Sequence, residues 1–416
     1  MHAPSAGIAP PADAATADPA RARRLLYAAA FLRALAIGMV GVLLGVHLAQ
    51  LGIGAAASGF VVAAGLAGGA LATLFATTWA RNAPRHVLLA SAALAAAGGV
   101  GLMFVSGAWG LVLVAFLGLV NGMGRDRGAA LVIEQALLPA TTGASGRTAA
   151  LAWYSVAQDA GHALGAALAG LPVLIVRVHA APAATADRGA FALYAALFLA
   201  SLLLYPRIPM RVTDTGASRA PITPRTRRVL WQISSLFALD SLGGGFLTTA
   251  LLGWFFFERF HAGLGAVSLL FFGARVANAL SHLGAAWLAR RIGLVNTMVF
   301  THLPSSLLLL TVGIAPSFGV AAALFLLRES LVEMDVPTRS SYVLAVVEPG
   351  ERTFANGVTL LVRLAGWAVA PALAGLVMRG PALAVPLYLG AAMKIAYDVL
   401  LYRAFRNLKP PEEQAA

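Results

Sequence analysis

Twelve apolar runs follow one another along this chain of 416 residues. Each is close to the length of about 20 residues that a helix needs to cross a bilayer. They fall at 25–49, 54–77, 87–106, 108–137, 148–176, 190–206, 229–257, 262–288, 294–314, 316–345, 354–379 and 381–404. The runs are continuous and do not alternate, which excludes a barrel of strands. Charged residues make up 11% of the chain and hydrophobic ones 59%, and mean hydropathy is +0.80. An ordinary soluble domain is roughly a quarter charged. A soluble enzyme, a secreted scaffold and a disordered chain are therefore excluded. The chain has no cysteine, which removes disulfides, thiolate metal sites and cysteine nucleophiles. These features predict an all-α membrane protein.

A net charge of +13 in a soluble chain would suggest nucleic acid. Here the basic residues sort by side of the membrane. Arg21, Arg23, Arg24, Arg81, Arg85, Arg147, Arg290, Arg291, Arg352, Arg403, Arg406 and Lys409 fall on one side, together with the arginine-rich stretch 207–228. The opposite loops hold only Arg177, Arg188, Arg259 and Arg379. The positive-inside rule then places both termini in the cytoplasm, and no nucleic-acid partner is needed. Residues 1–24 read as a disordered cytoplasmic tail without a cleaved signal. Residues 25–206 form a first six-helix bundle, 207–228 a basic cytoplasmic linker, 229–404 a second bundle and 405–416 a tail.

The halves resemble each other. RTAALAWYSVAQDAGHALGAALAG (147–170) aligns with RTFANGVTLLVRLAGWAVAPALAG (352–375), and Trp79-Ala80-Arg81 with Leu288-Ala289-Arg290. Parallel six-helix repeats joined by a basic loop are a transporter layout. The stretch MDVPTRSSYVLAVVEPGERT (334–353), followed by a span ending PALAG (371–375), resembles the tenth helix and following loop of bacterial major facilitator superfamily transporters. LDSLGGGF (239–246) and ARRIGLVNTMVFTHLPSS (289–306) are similar to a poorly characterised bacterial branch. The resemblance covers nearly everything after residue 24. It implies twelve transmembrane helices in two pseudo-symmetric six-helix bundles, embedded as a monomer in a bacterial inner membrane. It also implies alternating access around a site lined by helices one, four, seven and ten. The family's cytoplasmic signature is altered: Arg81 and Arg290 stand where an Asp is usual, and Pro84 where a Gly is usual. The usual gating ion pair is therefore not carried over.

Ionisable residues inside spans are costly and are functional candidates by default. The fourth span carries NGMGRDRG (121–128), read as a helix with Asn121, Arg125 and Gly128 on one face, and Arg127 and Glu134 on another. The tenth carries RESLVEMDVPTRSSY (328–342), where Glu329 and Glu333 share a face and Asp335 and Arg339 are spaced to pair within the helix. Aligning Pro139 with Pro349 sets Arg125 opposite Asp335, one charged cluster per half. The alternative is a set of structural ion pairs holding the halves together. Arg33, Arg125, Asp126, Asp240, Asp335 and Arg339 are the substrate-binding candidates, with arginine as anchor for an anionic or zwitterionic solute. Glu333, Asp240 and Asp126 are the candidate proton carriers. Asp240 has no basic residue within one turn. Asp159 and His162 share a face, read chiefly as an interhelical hydrogen bond. Arg275, Asn278 and His282 fit a polar cavity wall, and Arg363 with Trp367 a cation–π contact. Lys394 and Asp398 are expected to pair with each other. Gly243-Gly244-Gly245 predicts a flexible point beside Asp240.

No Gly-rich nucleotide loop, metalloprotease or serine-nucleophile motif is present in the sequence. The function expected is secondary active transport of a charged or amphipathic small molecule, proton-coupled, as uptake or efflux, with no cofactor and no metal. The alternatives are a non-transporting membrane sensor or a membrane-embedded enzyme.

Overall fold

The computed structural model describes residues 18–78, 83–142, 146–179, 182–209, 223–334 and 351–405. Helices carry these residues, and no strand occurs among them. Helix α1 (Pro19–Gln50) starts inside the stretch read as a disordered tail. Asp18 caps it by accepting the N–H of Ala20 at 2.9 Å, and Pro19 occupies the first turn, where its missing N–H costs nothing. The first half continues with α2 (Ala55–Thr78), α3 (Pro84–Phe104), α4 (Ala108–Leu117), α5 (Ala129–Leu137), α6 (Arg147–Leu168), α7 (Leu171–His179) and α8 (Ala183–Leu204). The second half holds α9 (Pro224–Gly245), α10 (Thr249–Phe260), α11 (Leu264–Ile292), α12 (Leu294–Gly313), α13 (Phe318–Val332), α14 (Arg352–Val377) and α15 (Val385–Phe405). Helix α9 begins within the stretch assigned to the linker. The repeat seen in sequence is structural, because Arg147 and Arg352 each open a helix at the same place in their halves.

Ten helical stretches among the described residues are long and apolar enough to cross a membrane. The fourth and tenth crossings, α4 with α5 and the described part of α13, complete the twelve. The fourth is not one helix. Gly118, Gly122, Gly124 and Gly128 interrupt it between α4 and α5, with Leu119 at φ 51° and Gly124 at φ 68°. The helical-face argument for residues 121–128 is thereby overturned. Non-helical backbone is tolerated at membrane depth only where it is buried in protein or lines a water-filled cavity, and this segment does both.

Helix α1 lies at the centre and is buried along most of the stretch from Arg33 to Ala49. Small residues let it approach its neighbours. A Cβ on Gly38 would collide with the His162 carbonyl oxygen of α6, and one on Gly165 with that of Leu35. Large apolar side chains point outward, as at Trp109 and Phe104, where lipid replaces water as solvent. The close glycine approaches between the halves all lie in the half of the bilayer remote from the N-terminus. There Gly45 abuts the Ala250 carbonyl, Gly59 abuts Pro371 and Gly375, and Gly170 abuts Ser268. Ala250 N–H donates to the Gly122 carbonyl at 2.9 Å, and Trp254 Nε1 to that of Ile53 at 3.3 Å.

At the opposite end, Glu351 clips the start of α9 to the start of α14. Thr223 caps α9, and its N–H donates to Glu351 Oε1 at 2.6 Å. Hydrogen bonds from Thr226 and Thr223 hold the Glu351 carboxyl below its ordinary value of 4.5. Such a group stabilises the fold above its unfolded pKa, and the contribution is lost as pH falls through the lower, folded one. The melting-temperature gap between wild type and Glu351→Gln should therefore be constant above pH 4.5 and close in stronger acid. A gap that persists unchanged in acid would assign the clip no electrostatic role.

Candidate functional site

Two sets of charge sit at mid-membrane in the first half, and they differ in access. The first is buried, and Arg33, Asp126 and Tyr205 line a separate cavity of the first half. Arg33 of α1 donates from Nε to Asp126 Oδ2 at 2.5 Å, and from Nη1 and Nη2 to Glu134 of α5 at 2.5 and 2.9 Å. The Tyr205 and Tyr154 hydroxyls each accept from Arg33, at 2.9 and 3.1 Å, and each donates to Glu134. The Arg33, Asp126 and Glu134 side chains are 4%, 2% and 0% exposed. His162 makes the expected hydrogen bond between crossings: its Nε2 accepts the backbone N–H of Asp126 at 3.0 Å.

The second set opens onto a central cavity lined by both halves. The broken fourth crossing aims Arg125 and Arg127 across into the other half. Arg125 Nη1 meets Glu333, at the end of α13, at 2.9 Å, and Nη2 donates to Asn278 Oδ1 of α11. Asn278 Nδ2 donates in turn to Glu329 Oε2 at 2.9 Å, and Arg328 pairs with Glu329. The Arg127 guanidinium lies 4.4 Å from the Trp367 ring of α14, and the expected Arg363–Trp367 contact forms at 4.6 Å. Arg275 donates to Thr249 Oγ1 at 3.0 Å, and that hydroxyl donates to the Met123 carbonyl at 2.8 Å. Arg125 and Glu333 are 17% and 16% exposed, against at most 4% for the Arg33 set, so a solute in the cavity can reach them.

Among the described residues the cavity wall carries six cations, Arg125, Arg127, Arg275, Arg328, Arg363 and Lys394. It carries three carboxylates, Asp240, Glu329 and Glu333. The phenylalanines of α10, α11 and α13 close one end: Phe256 packs on Phe325 at 5.7 Å and on Phe318 at 5.9 Å, and Phe271 on Phe325 at 5.7 Å. Such a wall can hold an anion by charge-assisted hydrogen bonds while shielding it from bulk water.

The structure brings Arg125, Asp240 and Glu333 to this cavity and sets Arg33 and Asp126 apart in the buried cluster beside the other cavity. Asp335, Arg339 and the His282 side chain lie outside the described residues. Two pairings are corrected. Asp240 is not remote from positive charge, because Lys394 Nζ donates to its Oδ1 at 3.0 Å. Lys394 does not pair with Asp398, whose carboxylate instead meets His302 Nδ1 at 2.9 Å. Reach across helices decides both, and spacing along one helix does not predict it. Glu134, Tyr154 and Tyr205 were missed as partners of Arg33; the only signal was the intramembrane charge of Glu134 itself.

Two six-helix halves enclosing a charged cavity at mid-membrane define the architecture of a membrane transporter. The chain belongs to the major facilitator superfamily, whose family model (Major Facilitator Superfamily) matches residues 26–371. It is 23% identical to the uncharacterized membrane protein YJR124C of Saccharomyces cerevisiae, over 91% of this chain and 92% of that protein. Among solved structures it resembles a D-xylose–proton symporter, with a TM-score of 0.74 and 14% identity over 91% of this chain and 97% of that one. The inward open xylose transporter XylE from E. coli superposes with a TM-score of 0.72 at 13% identity, covering 94% and 99% of the two chains. The nucleoside transporter NupG gives 0.70 at 13% identity, covering 92% and 99%. At these identities the likeness is one of fold. Family and neighbours together point to a multi-pass transporter and away from an enzyme.

Proposed function

We propose that this protein is a proton-coupled secondary transporter of a small anion, a carboxylate or a phosphate, with Arg125 as the anion anchor and Glu333 as its exchangeable partner. The observation that carries the reading is the Arg125–Glu333 pair at 2.9 Å, which joins the two halves inside a cavity wall with six cations against three carboxylates. While ionised, Glu333 occupies Arg125. A proton on Glu333 removes that competitor and frees the guanidinium for a carboxylate or phosphate. Proton and anion then bind together and cross together. Asp240 and the remaining arginines shape the same wall, and the Arg33–Asp126–Glu134 cluster braces the first half. The two bundles, 25–206 and 229–404, rock about this site. With both termini in the cytoplasm of a bacterial cell, the glycine contacts seal the periplasmic side of the inner membrane, and the site faces inward. The carrier works as a monomer and binds no nucleic acid.

Binding is tested by melting temperature in detergent against succinate, inorganic phosphate and tetraphenylphosphonium. A ligand at 100 times its Kd stabilises the folded state by about 2.7 kcal/mol. One of the anions should stabilise wild type, and Arg125→Gln should abolish that effect. Glu333→Gln should tighten anion binding by about tenfold, or ~1.4 kcal/mol, and weaken its pH dependence. Stabilisation by tetraphenylphosphonium alone would reverse the assigned substrate charge.

A further inference from the structure

Behind the cavity wall, four titratable side chains form a continuous chain that links three helices of the second half. Asp398 of α15 presents both carboxylate oxygens to His302 Nδ1 of α12, at 2.9 and 3.0 Å. His302 Nε2 lies 3.3 Å from Lys394 Nζ of α15, and Lys394 Nζ donates to Asp240 of α9 at 3.0 Å. Asp398 and His302 are 0% and 2% exposed, so one end of the chain is shut away from solvent. His302, Lys394 and Asp240 reach the cavity. The other charged groups of the same wall are Arg125, Arg127, Arg275, Arg328 and Arg363, with Glu329 and Glu333. The Tyr397 ring stands 6.1 Å from the imidazole.

The hydrogen-bond roles follow from the atoms. An ionised carboxylate only accepts, so Nδ1 carries the imidazole proton. An ammonium only donates, so Nε2 must offer its lone pair to Lys394. Nε2 is thus the one site in the imidazole where another proton can be placed. We propose that His302 is a proton-loading site whose protonation breaks its hydrogen bond with Lys394 and leaves that ammonium on Asp240 at the cavity wall. An incoming proton forms the Nε2–H bond, and the hydrogen bond from Nζ to Nε2 is lost because both partners are now donors. Lys394 keeps its three protons and stays on Asp240, while the new imidazolium repels it. The formal charge of the four-residue chain rises by one, and that charge is felt at the anion cavity. Proton and anion therefore strengthen each other's binding, as linkage requires.

This inference deepens the proton-coupled reading above, but its test needs no solute, so the two can fail separately. The full chain is labelled with 15N-histidine and with 13Cε,15Nζ-lysine, and spectra are recorded in detergent from about pH 5 to 9. The sequence has only two lysines, Lys394 and Lys409, and the signal missing from Lys394→Met identifies the first. The histidine signal missing from His302→Gln identifies His302. Protonation of Nε2, with Nδ1 protonated throughout, should share a single midpoint with the shift of the Lys394 signal. That lysine shift should vanish in His302→Gln. Should either variant not fold, Lys409→Arg leaves Lys394 as the one lysine signal, and a histidine signal that shares its midpoint still decides the matter. A Lys394 signal that stays fixed while His302 titrates, or a His302 that never titrates, would overturn the proposal. So would a Lys394 shift that survives unchanged in His302→Gln.

Discussion

Arg33→Met should lower the stability of the folded protein by about 3–5 kcal/mol, the cost of leaving a buried charge without its partner. Arg33 holds two carboxylates, Asp126 at 2.5 Å and Glu134 at 2.5 and 2.9 Å, with two tyrosine hydroxyls closing the ring. With the arginine gone, two buried carboxylates lose the cation that compensates them. Adding Asp126→Asn and Glu134→Gln to Arg33→Met should recover most of the loss, since removal of a whole buried ion set is often near neutral. Melting temperature in detergent reports both. A single variant within about 1 kcal/mol of wild type would show that this cluster does not brace the first half.

Gly45→Leu should hold the two halves apart on the side remote from the termini. Any side chain there meets the Ala250 carbonyl, and both partners are helix backbone that cannot yield cheaply. Overpacking of this kind costs about 1–3 kcal/mol, enough to shift the closed population by about 5- to 150-fold. The absence of native cysteine makes the test direct. A single cysteine is introduced by Leu252→Cys on the cavity wall and labelled from outside with an impermeant maleimide. Labelling should accelerate in Gly45→Leu. Gly189→Leu, placed where no atom lies within 4 Å of the added Cβ, serves as control and should leave it unchanged. Equal labelling in all three would remove the glycine contact from the gate.

The twelve crossings and the two-fold repeat were legible in the sequence because hydropathy and length report the bilayer directly. Arg125, Asp240 and Glu333 were legible because a charge in a span stands out from its neighbours. The partners were not. Arg33 and Glu134 are 101 residues apart, and no spacing rule connects them. Lys394 and Asp398 sit at a spacing that favours pairing, yet Lys394 reaches Asp240 and His302 on other helices. The break in the fourth crossing was visible as four glycines between residues 118 and 128, but an apolar run read as one helix conceals it. That break decides the site, since a continuous helix would not aim Arg125 and Arg127 together at the other half.

The central claim is that the cavity carries an anion together with a proton through Arg125 and Glu333. Its most direct test is internal pH in proteoliposomes loaded with a pH-sensitive dye, after external addition of succinate, inorganic phosphate or tetraphenylphosphonium. One of the anions should acidify the lumen in wild type, Arg125→Gln should abolish the response, and Glu333→Gln should separate anion entry from acidification. Alkalinisation of the lumen driven by proton exchange for tetraphenylphosphonium, with no response to either anion, would contradict it.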